Sequence, residues 1–279
     1  ITYASWTFRK APKFFDTQTY SGNSASGRQI AHNLGSTPGL IIIKNLDNNN
    51  RWYVWHESFA NNDYLYLNET FPENNYGAFA YLTADPTSTT ITIDSDTTIN
   101  ASGYDYVMYL FASDAGGFGD DGTENIIKCG SYTTDGSGNA TVNLGFEPQW
   151  ILSKRTNATG AWYIRDVMRG MPVDGDNALL FPNTNGAETD SSFALRPSAT
   201  GFTAFNDAAS QTNIYMAIRR PMKTPEVGTE VFAMDTEGST GDGNAPSYRS
   251  PFPVDMSLQK PQLNSSGGNP EIASRLTGD

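Results

Sequence analysis

The stretch His32-Asn33-Leu34-Gly35-Ser36-Thr37-Pro38 returns, 110 positions further on, as Val142-Asn143-Leu144-Gly145-Phe146-Glu147-Pro148. The same offset pairs Lys44 with Lys154, Trp52 with Trp162 and Tyr53 with Tyr163. Upstream, Thr19-Tyr20-Ser21-Gly22 is echoed by Ser131-Tyr132-Thr133-Thr134. Downstream, Leu65-Tyr66-Leu67-Asn68 is echoed by Leu179-Leu180-Phe181-Pro182-Asn183, and in both copies a Glu follows the Asn five positions later, at Glu73 and Glu188. Each copy closes on an apolar segment, Tyr106 to Ala112 and Ile214 to Ile218. A period this long is no solenoid unit, and each copy is large enough to hold a core. The sequence therefore reads as a tandem duplication, residues 14–113 followed by 125–223.

Between the copies, Asp114-Ala115-Gly116-Gly117-Phe118-Gly119-Asp120-Asp121-Gly122-Thr123 reads as part of a flexible, exposed connector over 114–124. A second linker is expected over 224–250, where Thr236 to Asn244 is rich in Gly, Asp, Ser and Thr. The ends read as fragments of further copies. Residues 1–13 resemble the end of a preceding repeat, since Tyr3 to Phe8 echoes Tyr106 to Phe111. Residues 251–279 resemble the start of another, through Pro251-Phe252-Pro253.

Within the first copy, short apolar or alternating runs recur at Arg28 to Ala31, Leu40 to Asn45, Trp52 to His56, Tyr64 to Leu67, Ala78 to Leu82, Thr90 to Ile93 and Asp105 to Ala112. They are rich in Ile, Val, Tyr, Trp and Thr and are separated by Gly, Asn, Asp and Pro, the mark of strands and turns. No segment keeps a 3.6-residue apolar period, so few helices are expected. The fold class is all-β: tandem antiparallel β-sandwich domains, jelly-roll-like, with Gly/Asp-rich linkers. Trp52 and Trp162 are read as core anchors, and Lys44 and Lys154 as side chains snorkelling at the sheet margin.

The 279 residues carry a net charge of −12, which argues against a nucleic-acid binder and against adsorption to an anionic membrane. No apolar run reaches the ~18–20 residues that cross a bilayer. The one cysteine, Cys129, can make no intrachain disulfide and reads as a small buried hydrophobe.

Catalytic signatures are scarce. The two histidines have no counterparts in the second copy, where Val142 stands for His32 and Asp166 for His56. There is no Gly-x-Ser-x-Gly elbow. No Cys/His spacing suits zinc, and the acidic loops at Asp94-Ser95-Asp96, Asp120-Asp121-Gly122 and Asp174-Gly175-Asp176 lack the later Glu of a full EF-hand loop. They read as turns. Glu57, Glu69, Glu73 and Asp166 are the carboxylates available for glycoside hydrolysis, which needs two facing one bond. The expectation is no enzyme, no metal and no cofactor. The candidate ligand contacts are Trp55 and Trp150, as sugar-stacking rings, and the repeated pairs Asn68 with Glu73 and Asn183 with Glu188.

A family resemblance rests on Trp6-Thr7-Phe8-Arg9-Lys10-Ala11-Pro12-Lys13-Phe14-Phe15-Asp16, His32-Asn33-Leu34-Gly35, Ala115 to Thr123, Pro148-Gln149-Trp150, Met168-Arg169-Gly170-Met171 and Ala217 to Pro225. In this order they resemble the tandem β-domains of large virion proteins from marine tailed bacteriophages, cyanophages among them. The resemblance runs from the first strand to about Phe232. It implies a structural or adhesive role in a tail fibre or tail appendage, and it carries over no catalytic residues. It further implies location in the virion after assembly in the host cytoplasm. The implied partners are other virion proteins, copies of the chain itself in a homo-oligomer (threefold symmetry being common in fibres) and a host-surface glycan. The competing readings are a secreted carbohydrate-binding module and a depolymerase of host polysaccharide.

Overall fold

The computed structural model describes residues 4–75 and 81–220, together with the backbone of 256–259 and 271–274. The first repeat contains β1 (Phe15–Ser21), β2 (Arg28–Ala31), β3 (Pro38–Asn45), β4 (Tyr53–His56), β5 (Asp63–Tyr66), β6 (Asn74–Asn75), β7 (Thr90–Ile93), the one-turn helix α1 (Thr97–Asn100) and β8 (Asp105–Ala112). The second contains β9 (Ile127–Thr133), β10 (Ala140–Asn143), β11 (Pro148–Arg155), β12 (Trp162–Asp166), β13 (Asn177–Leu179), β14 (Thr189–Ser191), β15 (Ala194–Ser198), β16 (Gly201–Phe205) and β17 (Thr212–Arg219). Beyond them, β18 (Met256–Gln259) pairs antiparallel with β19 (Glu271–Ser274). The expected linker over 224–250 lies outside the described residues, as does most of 251–279.

The two repeats share one strand order. The main sheet runs β1-β8-β3-β4-β5-β6 in the first and β9-β17-β11-β12 in the second. A bridge between Ile164 and Leu180 carries the second sheet on towards the β13-β14 pair. Each repeat also has a small sheet, β2-β7 in the first and β10-β16-β15 in the second. The fold is an antiparallel, all-β sandwich, with its strands divided unevenly between a large and a small sheet. β1 is absent from the strands expected in the sequence because its interior, Asp16-Thr17-Gln18-Thr19, carries no apolar alternation.

The repeated Asn-Leu-Gly-x-x-Pro signature now has a physical content. Leu34 and Leu144 are buried, while Gly35 and Gly145 adopt left-handed φ of 70° and 81° that a β-carbon would strain. Pro38 and Pro148 then open β3 and β11, each at an irregularity in the pairing with β8 or β17, where a proline forfeits no ladder bond.

β3 reads Pro-Gly-Leu-Ile-Ile-Ile-Lys-Asn and is buried along nearly its whole length. A continuous apolar run marks a strand covered on both faces. The covering layers differ. Alternation divides repeat 2 cleanly: Ile151, Tyr215 and Ala217 join Val142, Leu144 and Phe202 in an interior of its own. Trp150, Leu152, Trp162, Ile214 and Met216 point the other way and join one core with Leu40, Ile42, Val54 and Phe111 of repeat 1. The two main sheets therefore meet across a seam. Gly39 makes this approach close, since a β-carbon there would lie 2.9 Å from the sulfur of Cys129 in the other repeat.

The segment 4–13 contains no strand over residues 4–10 and packs against the seam. The Trp6 and Phe8 rings meet Trp150 edge-on at 6.5 and 6.0 Å. The connector 114–124 is tied down rather than free. Gly117 N–H donates to Gly122 O at 2.7 Å, Gly116 N–H to Asn125 Oδ1 at 2.6 Å, and Glu124 pairs with Arg219 at 2.6 Å.

Candidate functional site

The paired Asn residues do one architectural job twice. Asn68 Oδ1 accepts the backbone N–H of Trp52 at 2.9 Å, and Asn183 Oδ1 accepts that of Trp162 at 2.9 Å. Each side chain thereby satisfies a backbone donor at the start of the fourth strand, where no ladder partner is available. Both tryptophans lie in or against the shared core, and the Trp162 indole N–H crosses the seam to Tyr66 O at 2.8 Å. The lysines are also equivalent. Lys44 donates to Asn45 O and Lys154 to Arg155 O, both at 2.7 Å. Lys154 does not snorkel: it is fully buried, and that burial pushes its ammonium down to about 8.

The expected stacking rings are not available to a sugar. Trp55 is 5% exposed and Trp150 8%, both inside the shared core. The reason is strand position, since each sits mid-strand in a sheet covered on both faces. The carboxylates separate as well. Glu57 accepts from Ser113 Oγ at 2.9 Å, Glu69 pairs with Arg51 at 3.0 Å, and Asp166 takes Arg169 Nε at 2.6 Å and the Trp6 indole N–H at 3.3 Å. Glu188 completes that cluster as the second carboxylate on Arg169. The acidic loops are local turns: Asp96 caps α1 through Thr98 N–H, Asp121 accepts from Thr123, and Asp174 accepts from Gly175 N–H. Among the described residues, no three His, Cys, Asp or Glu side chains are grouped to hold a metal ion.

Both histidines are structural. His56 lies in the seam, with Nε2 3.1 Å from Tyr215 O of the other repeat and Nδ1 accepting Ser58 N–H at 3.1 Å. Those partners fix the proton on Nε2. Burial pushes the imidazole down to about 4. His32 receives Leu34 N–H and lies 3.2 Å from Thr87 O.

Glu73 alone among the candidate residues lines an open cleft, of about 400 Å³, at the rim of the seam. One wall is Asp63, Glu73, Asn74 and Asn75 of repeat 1, and the other is Thr156, Asn157 and Thr212 of repeat 2. The walls are joined by backbone: Glu73 N–H donates to Thr156 O at 2.8 Å and Gly160 N–H to Thr70 O at 2.9 Å. Asn75 Nδ2 donates to Asp63 Oδ1 at 2.5 Å, and Asn62 Nδ2 to Asn75 Oδ1 at 3.0 Å. Opposite, Asn157 is held by Ser210 O at 3.1 Å and by Thr212 N–H at 3.2 Å. Partial burial, together with the neighbouring Asp63, raises the Glu73 carboxyl. The sequence signalled Glu73 through the repeated Asn/Glu spacing. Its six companions come from four stretches: Asp63 and Asn74-Asn75 are paired within repeat 1, and docking sets Thr156-Asn157 and Thr212 of repeat 2 against them.

No curated protein and no solved structure matches the chain. A family described as a domain of unknown function (DUF7483) matches residues 10–220, spanning both repeats and the seam between them. The chain belongs to that family of DUF7483 domains.

Proposed function

We propose that this protein is a non-enzymatic structural subunit of a bacteriophage virion, a segment of a tail fibre or tail appendage. The observation that carries this reading is the seam. Two repeats of like topology bury aromatic and aliphatic side chains against one another, with His56 and Trp162 bonded across the join. Such a block resists bending, which is what a spacer in an appendage must do. Its loops and cleft face outward, where they meet neighbouring subunits or a host surface. Association with other virion proteins and with copies of itself follows from the same role.

The test is mass spectrometry of purified virions together with native mass spectrometry of the assembly. Peptides of this chain in the particle, in symmetric oligomers, are the expected result. Absence from virions, with the protein recovered as a free monomer, overturns the reading.

A further inference from the structure

The arm of residues 4–10 is held by its side chains. Among the described residues, no backbone hydrogen bond joins it to the rest of the chain. The Trp6 ring meets Trp150, lies under the Arg169 guanidinium at 5.2 Å and donates its indole N–H to Asp166. The Phe8 ring meets Phe15 at 5.7 Å, Phe111 at 5.5 Å and Trp150 at 6.0 Å. Lys10 donates to Thr17 O at 2.5 Å and pairs with Asp16 at 3.3 Å. The slot that takes the two rings is therefore built from both repeats. A single tight turn connects the arm to β1. Ala11 and Phe15 exchange backbone hydrogen bonds at 3.0 and 3.1 Å, and between them Lys13 takes a left-handed φ of 63°. That conformation strains a residue with a β-carbon. A short hinge under strain is the kind that passes an arm from one copy to another.

We propose that the seam slot is a docking site for the Trp-x-Phe arm of a second copy of this chain. The occupant is fixed by what the slot already holds. Seated from another copy, Trp6 and Phe8 make the same ring contacts and the same indole bond as in their own chain, so nothing in the slot is lost. The arm leaves without unzipping a strand, and straightening the turn at 11–15 releases the left-handed Lys13. The arm of the same chain competes at an effective concentration of roughly millimolar, as any short tether does. Exchange therefore takes over where copies are held side by side. Mutual exchange closes a dimer, and exchange passed onward gives an open series of copies. The inference holds wherever the protein acts and does not depend on the role proposed above.

The experiment is light scattering of the full chain and its variants after size-exclusion chromatography, from micromolar to millimolar concentration, with circular dichroism to show that each variant is folded. Deleting Ala11 and Pro12 shortens the hinge and keeps the arm from its own slot. That variant should associate about tenfold or more strongly than the parent, because the tethered competitor is gone. Lys13→Gly, which removes the strain, should associate less than the parent. Trp6→Ala combined with Phe8→Ala should stay monomeric, with or without the shortened hinge. A labelled peptide of residues 5–13 should bind the full-length double variant saturably, and the same peptide with Ala at both ring positions should not bind. A folded, hinge-shortened chain that associates no more than the parent overturns the proposal. So does association that persists in the double variant, or a peptide that fails to bind it. Presence in virions is read by a separate measurement, so the failure of one reading is distinguishable from that of the other.

Discussion

Repeat 1 and repeat 2 use the same strand order, the same Asn-to-Trp bond and the same Lys-to-carbonyl bond, yet they part company at four matched positions. Trp55 in the first corresponds to Arg165 in the second, His56 to Asp166, and Glu73 to Glu188. Trp52, partly buried and stacked on Tyr109 at 6.5 Å, corresponds to Trp162, which is wholly buried. Arg165 stays buried by lying over the Phe193 ring at 4.4 Å and donating to Ser153 Oγ and Phe193 O, both at 3.2 Å. Where the copies agree, the side chain completes the fold. Where they differ, it serves a local purpose: the N-terminal clamp of Trp6, Asp166 and Arg169 in one repeat, the open cleft wall in the other.

The largest test of that contrast is the tryptophan pair. Trp162→Ala should cost about 3–5 kcal/mol in a denaturant titration, with the seam bond to Tyr66 lost as well. Trp52→Ala should cost roughly half of that, because its ring is only partly buried. Equal losses would mean that the seam does not distinguish the two copies.

His56 gives the next effect. Its folded pKa, about 4, lies below the unfolded value of 6.5, so the unfolded chain binds the extra proton. The stability it allows is complete above pH 6.5 and is lost as pH falls towards 4, by about 3 kcal/mol in total. The measurement is unfolding free energy against pH for the parent and His56→Gln. The parent should show the steeper acid slope, and parallel curves would remove the histidine from the seam's energetics.

Asn68→Ala and Asn183→Ala should each cost about 1–2 kcal/mol, since each strands a backbone N–H. The comparison sharpens if the two losses match and breaks if only one is felt. The smallest effect is expected at the paired glutamates. Glu188→Ala should lower stability by at most about 1 kcal/mol, since the Arg169 pair is partly exposed. Glu73→Gln should leave stability unchanged or raise it slightly, by relieving repulsion with Asp63; calorimetric melting of the two variants reads the difference.

Much of this was legible before any coordinates. The β-branched and aromatic runs disclosed strands at β2, β3, β4, β5, β7 and β8, and the all-β class with them. The seam was visible only in an indirect form. Leu40-Ile41-Ile42-Ile43 lacks the alternation of a half-exposed strand, and that lack signals a second covering layer without saying what it is. Trp55 and Trp150 misled for this reason, since an aromatic in a strand reaches a sugar only if one face is open. The cleft was legible at Glu73 and nowhere else. Asp63 and Thr212 open strands β5 and β17, Thr156 follows β11, and nothing local in the sequence sets them on one rim.

The strand order has a consequence for the growing chain. β8 lies between β1 and β3, so the last strand of the repeat to be synthesised is the one its sheet is built around. At ~5–20 residues per second, β1 leaves the ribosome on the order of ten seconds before its partner exists. Throughout that interval the edges of β1 and β3 are both unpaired, and unpaired edges are where nascent chains join one another. β9, β17 and β11 repeat the arrangement. Closure comes late twice in each molecule: the centre of each main sheet is completed only when its last strand has been made.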